Sequence, residues 1–319
     1  MSDLSDPIVA AVFNREKIAQ PRKNIMPNKL IVITGPTGSG KSALAMRMAG
    51  EIGCDIISAD SRQMFREIPI GTAAPTASDR ARVTHHFVGN LSLGDYYSAA
   101  QYEEEVMRLL PSLWRKSPVQ IMCGGSMMYI DAVTRGIDEL PTISDDIRRE
   151  AWELYERGGL QQLRLTLLEL DPVYYREVDL NNHKRLVHAI EICRQAGVPY
   201  SSLRTGRAKP RDFDIEMLAI DMPRDILFDR INRRVVTMIE QGLVEEARAV
   251  SRLRHLNSLN TVGYKELWPY IDGHITLDEA ITKIARNTRV YAKKQLTWLK
   301  SRPHHPIAIS NEQLAMSNE

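Results

Sequence analysis

A glycine-rich turn near the start of the chain constrains its fold more than any other feature. A β-branched run at 30–34 leads into Gly-Pro-Thr-Gly-Ser-Gly-Lys-Ser at 35–42, and an alanine- and methionine-rich run follows at 43–52. This is a P-loop pattern in its expected strand–turn–helix context, in which backbone N–H groups bind a di- or triphosphate. The residues predicted to bind the diphosphate here are Gly35, Thr37, Gly38, Ser39, Gly40, Lys41 and Ser42.

The turn does not specify what the phosphates are attached to. Ser42 supplies a hydroxyl for a magnesium ion, Mg²⁺, as in other P-loops. P-loop NTPases also hold magnesium with a carboxylate that ends a later apolar strand. The apolar run 119–123 instead ends in Gly124-Gly125-Ser126, without an acid. This weighs against ordinary ATP hydrolysis, although small-metabolite kinases often place their acids elsewhere.

Apolar runs alternate with helical patterns over most of the chain. This order predicts an α/β fold, a P-loop NTPase-like parallel sheet flanked by helices. The segment 141–211 contains helical patterns and no strand pattern, so an all-helical insertion domain is expected there. The predicted strands are 30–34, 55–59, 119–123, 215–220 and 306–309. The predicted domains are a flexible leader at 1–28, a core of 29–140 and 212–310, the insertion at 141–211, and a tail at 311–319.

Composition excludes several classes of protein. The three cysteines, Cys54, Cys123 and Cys193, include no Cys-x-x-Cys pair, so neither a disulfide framework nor a zinc knuckle is expected and a cytoplasmic location is favoured. No apolar run approaches the roughly 18 residues of a membrane span, so no membrane partner is expected. The net charge of +2 is uninformative about nucleic acid, and the distribution of the cations has to decide that question.

Two side chains follow the ends of predicted parallel strands, where open sheets build their sites. Asp60 could accept a proton from a nucleophile aimed at the bound diphosphate ester, or it could only cap the next turn. Ser126 could present its hydroxyl to the same pocket, or it could cap a helix at 127–134. The sequence leaves both alternatives open.

Cationic side chains recur on two predicted helices. The segment 283–311 holds seven Lys or Arg and no acid, and Arg286, Arg289, Lys293 and Lys300 fall on one helical face. That stripe favours binding to backbone phosphates over a merely solvated surface. Arg230 and Arg234, four residues apart, could clamp a diphosphate or pair with Glu240 and its neighbours.

A succession of motifs resembles the tRNA dimethylallyltransferase family (isopentenyl-tRNA or IPP transferases), from about Lys29 to Ile309. The resemblance implies transfer of a dimethylallyl group from dimethylallyl diphosphate to the N6 amine of adenosine at tRNA position 37, 3′ to the anticodon. No nucleotide is hydrolysed in that reaction, which accounts for the missing acid. The motifs are the P-loop, Ser58-Ala59-Asp60-Ser61-Arg62-Gln63, Ile70-Gly71-Thr72-Ala73, His85-His86-Phe87, Gly124-Gly125-Ser126, Arg230-Ile231-x-x-Arg234, Gly242-Leu243-x-x-Glu246, Val262-Gly263-Tyr264-Lys265-Glu266 and Gln295-Leu296-Thr297-Trp298-Leu299.

The resemblance also implies roles for individual residues. Asp60 matches the general base, Ser126 stands at a catalytic position usually held by threonine, and Arg230 and Arg234 match diphosphate-binding arginines. Ala74 replaces a common lysine, which puts one phosphate or tRNA contact in doubt. The predicted tRNA contacts, including the basic stripe, are Asp60, Ser61, Arg62, Gln63, Ser126, Arg148, Asn182, His183, Lys184, Arg185, Gly263, Tyr264, Lys265, Arg286, Arg289 and Lys293.

The expected partners are the tRNA anticodon stem-loop and dimethylallyl diphosphate, and the expected state is a monomer. Three other functions remain open: an adenylate isopentenyltransferase acting on free AMP, ADP or ATP, a P-loop kinase of small metabolites, and a non-catalytic nucleic-acid-binding protein. The helical insertion and the basic stripe favour tRNA, since a free nucleotide requires neither.

Overall fold

The computed structural model describes residues 28–308, and its first compact unit is built on a parallel sheet. The sheet has six strands in the order β3-β2-β4-β1-β5-β6, and every neighbouring pair is parallel. This confirms the predicted fold class. The strands are β1 (Lys29–Thr34), β2 (Ile56–Ala59), β3 (His85–His86), β4 (Val119–Gly124), β5 (Asp214–Asp221) and β6 (His305–Ala308).

Both faces of the sheet are covered. Leu30 and Ile31, consecutive in β1 and therefore on opposite faces, are both fully buried. This burial explains why the central strands are continuous apolar runs rather than alternating ones. The helices of this unit are α1 (Lys41–Ile52), α2 (Pro69–Thr72), α3 (Ala77–Arg82), α4 (Ala99–Trp114) and α5 (Met127–Arg135), then α10 (Arg224–Glu240), α11 (Leu243–Val250), α12 (Tyr264–Ile271) and α13 (Leu277–Leu299).

The second compact unit, residues 135–210, contains only helices as regular elements. It begins six residues before the predicted boundary, because Lys209 N–H donates to the Arg135 carbonyl and Thr205 Oγ1 to Asp138. Gly159 interrupts α6 at a φ of 58°. The helices are α6 (Asp145–Leu170), α7 (Pro172–Glu177), α8 (His183–Ala196) and α9 (Tyr200–Leu203).

All five predicted strands are present, within one or two residues of their predicted bounds over the described part of the chain. The sequence patterns missed β3, which has only two residues, and α12, whose pattern Pro269 interrupts. They also missed four helices of four to six residues, α2, α3, α7 and α9. The predicted tail and all of the predicted leader except Asn28 lie outside the described residues. None of the helices within 28–308 is both long and apolar enough to cross a membrane.

Candidate active site

A cleft of about 1060 Å³ in the first unit lies at the carboxyl ends of β1, β2 and β4. Of the predicted diphosphate-binding residues in the P-loop, Gly35 and Ser39 do not line it. Gly35 packs against Ile220, and Ser39 is fully buried. The site residues that do line the cleft are Thr37, Gly38, Gly40, Lys41, Ser42, Asp60, Ser61, Arg62, Gln63, Ser126, Arg230, Arg234, Gly263 and Lys265.

The P-loop is held in a form that only glycine adopts easily. Gly38 and Gly40 have φ values of 83° and 93°, and Gly40 begins α1. The Lys41 ammonium donates to the Pro36 carbonyl at 3.0 Å. Burial lowers the pKa of Lys41 to about 8, an effect that Cys123 and Asp60 oppose and Arg234 reinforces. The loop is therefore arranged around a cation that an incoming anion would stabilise.

Two arginines of α10 form the wall opposite the P-loop. Arg230 Nε donates to the Gly38 carbonyl at 2.9 Å, and Arg234 lines the same cleft. Burial lowers the pKa of both side chains, and their mutual repulsion adds to the effect on Arg234. Arg233, by contrast, is exposed and paired with Asp229 at 2.7 Å. Both arginines therefore lie on the cleft, as a diphosphate clamp requires, and the clamp stays a prediction.

The Asp60 carboxylate uses its two oxygens differently. Oδ1 accepts hydrogen bonds from the Arg62 and Gln63 N–H groups at 2.9 and 3.4 Å. Oδ2 accepts none from the residues that the structure describes. The side chain therefore caps the turn and still presents one oxygen, so the two interpretations of Asp60 are compatible. It also raises the pKa of Arg62 and Arg234, opposing the larger, lowering effect of burial.

Ser126 directly precedes α5, and its carbonyl accepts the Tyr129 and Ile130 N–H groups, but its side chain bonds elsewhere. Its Oγ accepts the Ser61 N–H at 2.8 Å and donates to Ser61 Oγ at 3.1 Å. These bonds join the loop after β4 to the loop after β2. The Ser126 hydroxyl therefore lies beside the segment that carries Asp60.

Two of the predicted tRNA contacts are engaged inside the protein. The Gln63 side chain accepts from Ser58 and donates to the carbonyls of Thr72 and Ala73. Tyr264 is fully buried and donates to Glu246. The Tyr264 side chain is thus unavailable to tRNA, which corrects the contact that the resemblance implied for it.

The inward face of α13 contacts two loops of the cleft. Gln295 Oε1 accepts the Thr37 N–H at 2.8 Å, and Gln295 Nε2 donates to the Gly125 carbonyl at 2.9 Å. Tyr291 Oη donates to the same carbonyl at 3.1 Å. Sequence reasoning placed Gln295 in a motif without giving it a role. Its bond to Thr37 removes that N–H from the groups available to a phosphate.

Three cations surround the Phe228 ring of α10. Arg224, Arg289 and Lys293 lie 5.0, 5.8 and 6.0 Å from the ring centroid. Arg289 also donates to Asn232. No acid within 28–308 forms an ion pair with any of the three. The structure thus joins Arg224, which sequence reasoning missed, to the predicted stripe, whereas Arg286 is exposed elsewhere on α13.

In the second unit, the predicted contacts lie at the start of α8. Asn182 caps this helix by accepting the Arg185 N–H at 3.3 Å. His183 stacks on Tyr155, with ring centroids 4.8 Å apart, and lies edge-on to Trp152. Lys184 and Arg185 are exposed, and Arg148 is partly buried in α6. Cationic and aromatic groups therefore meet on one surface of this unit.

The protein groups around the P-loop suit magnesium only together with a phosphate ligand. Ser42 lines the cleft, and its hydroxyl makes no hydrogen bond to any described residue. The described residues contain no cluster of three or more His, Cys, Asp or Glu able to hold a metal. Magnesium commonly takes one or two protein ligands, substrate phosphates and waters, so the site fits that mode.

Known proteins resemble the chain over most of its length. A family model described as IPP transferase matches residues 63–302. The tRNA dimethylallyltransferase 2 of Parabacteroides distasonis is 54% identical over 276 residues, covering 86% of this chain and 92% of the relative. The tRNA dimethylallyltransferase 1 of Bacteroides thetaiotaomicron is 52% identical over 271 residues, covering 85% and 88%.

Solved structures show the same fold. The tRNA isopentenylpyrophosphate transferase of Bacillus halodurans has a TM-score of 0.63 at 31% identity, covering 91% of this chain and 95% of that one. A eukaryotic dimethylallyltransferase acting on tRNA has a TM-score of 0.74 at 23% identity, covering 89% and 75%. The sequence, the cleft and these relatives agree, and the chain belongs to the IPP transferase family.

Proposed function

We propose that the chain is a tRNA dimethylallyltransferase, which moves a dimethylallyl group from its diphosphate to the N6 amine of adenosine 37. One observation carries the proposal: Asp60 lines the same cleft as Lys41, Arg230 and Arg234. A diphosphate leaving group requires cations, and an attacking amine requires a proton acceptor. The relatives named above as tRNA dimethylallyltransferases support the same reaction.

The transfer is a substitution at the allylic carbon. The amine nitrogen forms a bond to that carbon while the carbon–oxygen bond to diphosphate breaks, and the electron pair leaves with the diphosphate. The amine proton passes to Asp60 Oδ2. Lys41, Arg230 and Arg234 stabilise the negative charge that develops on the leaving group.

Magnesium would be held by the Ser42 hydroxyl together with diphosphate oxygens. When bound, it neutralises charge on the leaving group. Chelation with EDTA should abolish transfer, and added magnesium should restore it. Full activity of the metal-free protein would contradict this part of the proposal.

The tRNA is proposed to contact each unit through its cationic and polar groups. In the first unit these are Ser61, Arg62 and Lys265 at the cleft and the cations around Phe228. In the second unit they are Arg148 and the segment 182–185. A tRNA acceptor and the three free cysteines both fit a cytoplasmic location.

The test is incubation with labelled dimethylallyl diphosphate and, in separate reactions, unmodified tRNA, its anticodon stem-loop, AMP and ATP. We expect label on a single adenosine of the tRNA and of the stem-loop. Label on free nucleotides instead would identify an adenylate isopentenyltransferase. RNA binding without any transfer would identify a non-catalytic protein.

A further inference from the structure

The side chain of Gln295 bridges two loops that are far apart in the sequence. It is 3% exposed, and its amide group makes one bond as acceptor and one as donor. The reverse orientation of the amide would place its NH₂ group against the Thr37 N–H, so the two bonds fix the orientation. Glutamine is therefore suited to this position by chemistry as well as by size.

The close approach of Gln295 to the backbone also explains why position 125 is a glycine. A Cβ atom at Gly125 would lie 2.3 Å from Gln295 Nε2, which is too close for any side chain to be accommodated in place. The Gly125 carbonyl accepts from Gln295 and from Tyr291, one turn earlier on α13. The loop after β4 is thus held from one side by two donors of the same helix.

These bonds connect the two halves of the chemistry. Thr37 belongs to the diphosphate cradle after β1. Gly125 precedes Ser126, which bonds to Ser61, and Ser61 follows Asp60. β1, β4 and β2 are neighbours in the sheet. The Gln295 side chain therefore connects the P-loop after β1 to the loop after β4 and, through Ser126, to the loop that carries Asp60.

We propose that Gln295 is a positioning residue for prenyl transfer, fixing the P-loop relative to Asp60. The inference rests on the proposed function. Reacting groups misplaced by about 1 Å lose on the order of a hundredfold in rate. Attachment of α13 does not depend on Gln295, since Trp298 and Arg302 bind Asp131 and the face around Ala292 is buried.

The test compares Gln295→Met with Gln120→Met. Gln120 is another buried glutamine that donates to two carbonyls, those of Leu113 and Ser117, but neither partner lines the cleft, whereas Thr37 and Gly125 both do. Each variant removes two hydrogen bonds, and thermal unfolding of both checks that they fold. Only Gln295→Met should lower kcat, by about tenfold or more, with an unchanged Kd for tRNA. A kcat within about twofold of that of Gln120→Met would overturn the inference.

Two further variants keep the test decisive if Gln295→Met folds poorly. Gln295→Glu keeps the acceptor for Thr37 but loses the donor for Gly125, and we expect an intermediate fall in kcat. Combined with Tyr291→Phe it leaves the Gly125 carbonyl without either donor, so the joint loss should exceed the product of the single losses. Simple multiplication would overturn the inference. The unmodified chain is assayed first, and its failure to prenylate tRNA would instead overturn the proposed function.

Discussion

Ser126 Oγ accepts the backbone N–H of Ser61 at 2.8 Å, although 65 residues separate the two in sequence. The bond crosses from the end of β4 to the loop after β2, next to Asp60. The serine hydroxyl thus positions the segment that carries the proposed base. A threonine, which the family usually has at this position, would supply the same oxygen, so we expect the serine to preserve this role.

Replacing Asp60 with asparagine tests its role as the proton acceptor. The amide keeps an oxygen to cap the turn but cannot accept the amine proton. We expect kcat to fall about a hundredfold or more, with tRNA binding nearly unchanged, in single-turnover assays.

Asp95→Asn is the matched control for Asp60→Asn. Asp95 accepts the Ser92 N–H at 2.7 Å and caps an exposed turn outside the cleft. This variant should retain full activity. Near-normal single-turnover rates in Asp60→Asn would return Asp60 to a purely structural role.

Lys41 makes diphosphate binding sensitive to pH. Its pKa is lowered to about 8 by burial, so the free protein loses this charge as pH rises through about 8. We expect kcat/KM for dimethylallyl diphosphate to fall above that pH. The fall in kcat should occur at a higher pH than the fall in kcat/KM, because the bound diphosphate favours the charged ammonium. The measurement is a pair of pH profiles at constant ionic strength.

Neighbouring groups cannot produce the same fall in kcat/KM. Burial raises the pKa of Cys123 to about 11 and that of Tyr291 to about 12. In Lys41→Arg the side chain stays charged, so the fall of kcat/KM above about pH 8 should disappear, whatever the absolute rate of the variant. In folding, the unfolded chain binds this proton more tightly, so the cost of burying Lys41 is greatest below about pH 8 and shrinks as pH rises. A kcat/KM for dimethylallyl diphosphate that stays constant up to pH 9.5 would contradict the assignment of this pH dependence to Lys41.

The sequence predicted the sheet because its strands are continuous apolar runs ended by glycine or a polar residue. It also predicted Asp60 and Ser126 at the edge where parallel strands end. It missed α12, because Pro269 lies inside that helix. The resemblance to the family implied a tRNA contact for Tyr264, whose side chain is fully buried. Periodicity within a segment carries no information about which other element covers its faces.

Contacts between distant elements were equally out of reach. Arg224 joins Arg289 and Lys293 only because α10 and α13 pack together, which no spacing within either helix reveals. The same holds for Gln295, whose partners are 258 and 170 residues away. Motif order identified the residue but not its role.

The cations around Phe228 should contribute to tRNA binding through phosphates. We expect Arg224→Ala and Lys293→Ala each to weaken binding at low salt. Each should also reduce the slope of log K against log salt by about 0.9 for every duplex phosphate that is no longer neutralised. The control is Arg108→Ala, since Arg108 is an exposed arginine already paired with Glu104. Slopes equal to that of the unmodified chain would make the cluster an ordinary solvated surface.

Gly124 and Gly125 are adjacent, but they should respond differently to alanine. A Cβ at Gly124 would lie 2.1 Å from the Ala59 carbonyl oxygen, a backbone atom of the paired strand β2. That clash cannot be relieved without shifting the sheet, so Gly124→Ala should lower the free energy of unfolding by about 1–3 kcal/mol or more.

The one close contact of a Cβ at Gly125 is with the amide nitrogen of Gln295, which can rotate away at the expense of its two hydrogen bonds. Gly125→Ala should therefore lower kcat more than it lowers stability. Denaturant unfolding and steady-state kinetics on both variants separate the two effects. Equal losses of stability in the two variants would mean that the Gln295 side chain is as rigid as the sheet, because it then could not yield to the new methyl group.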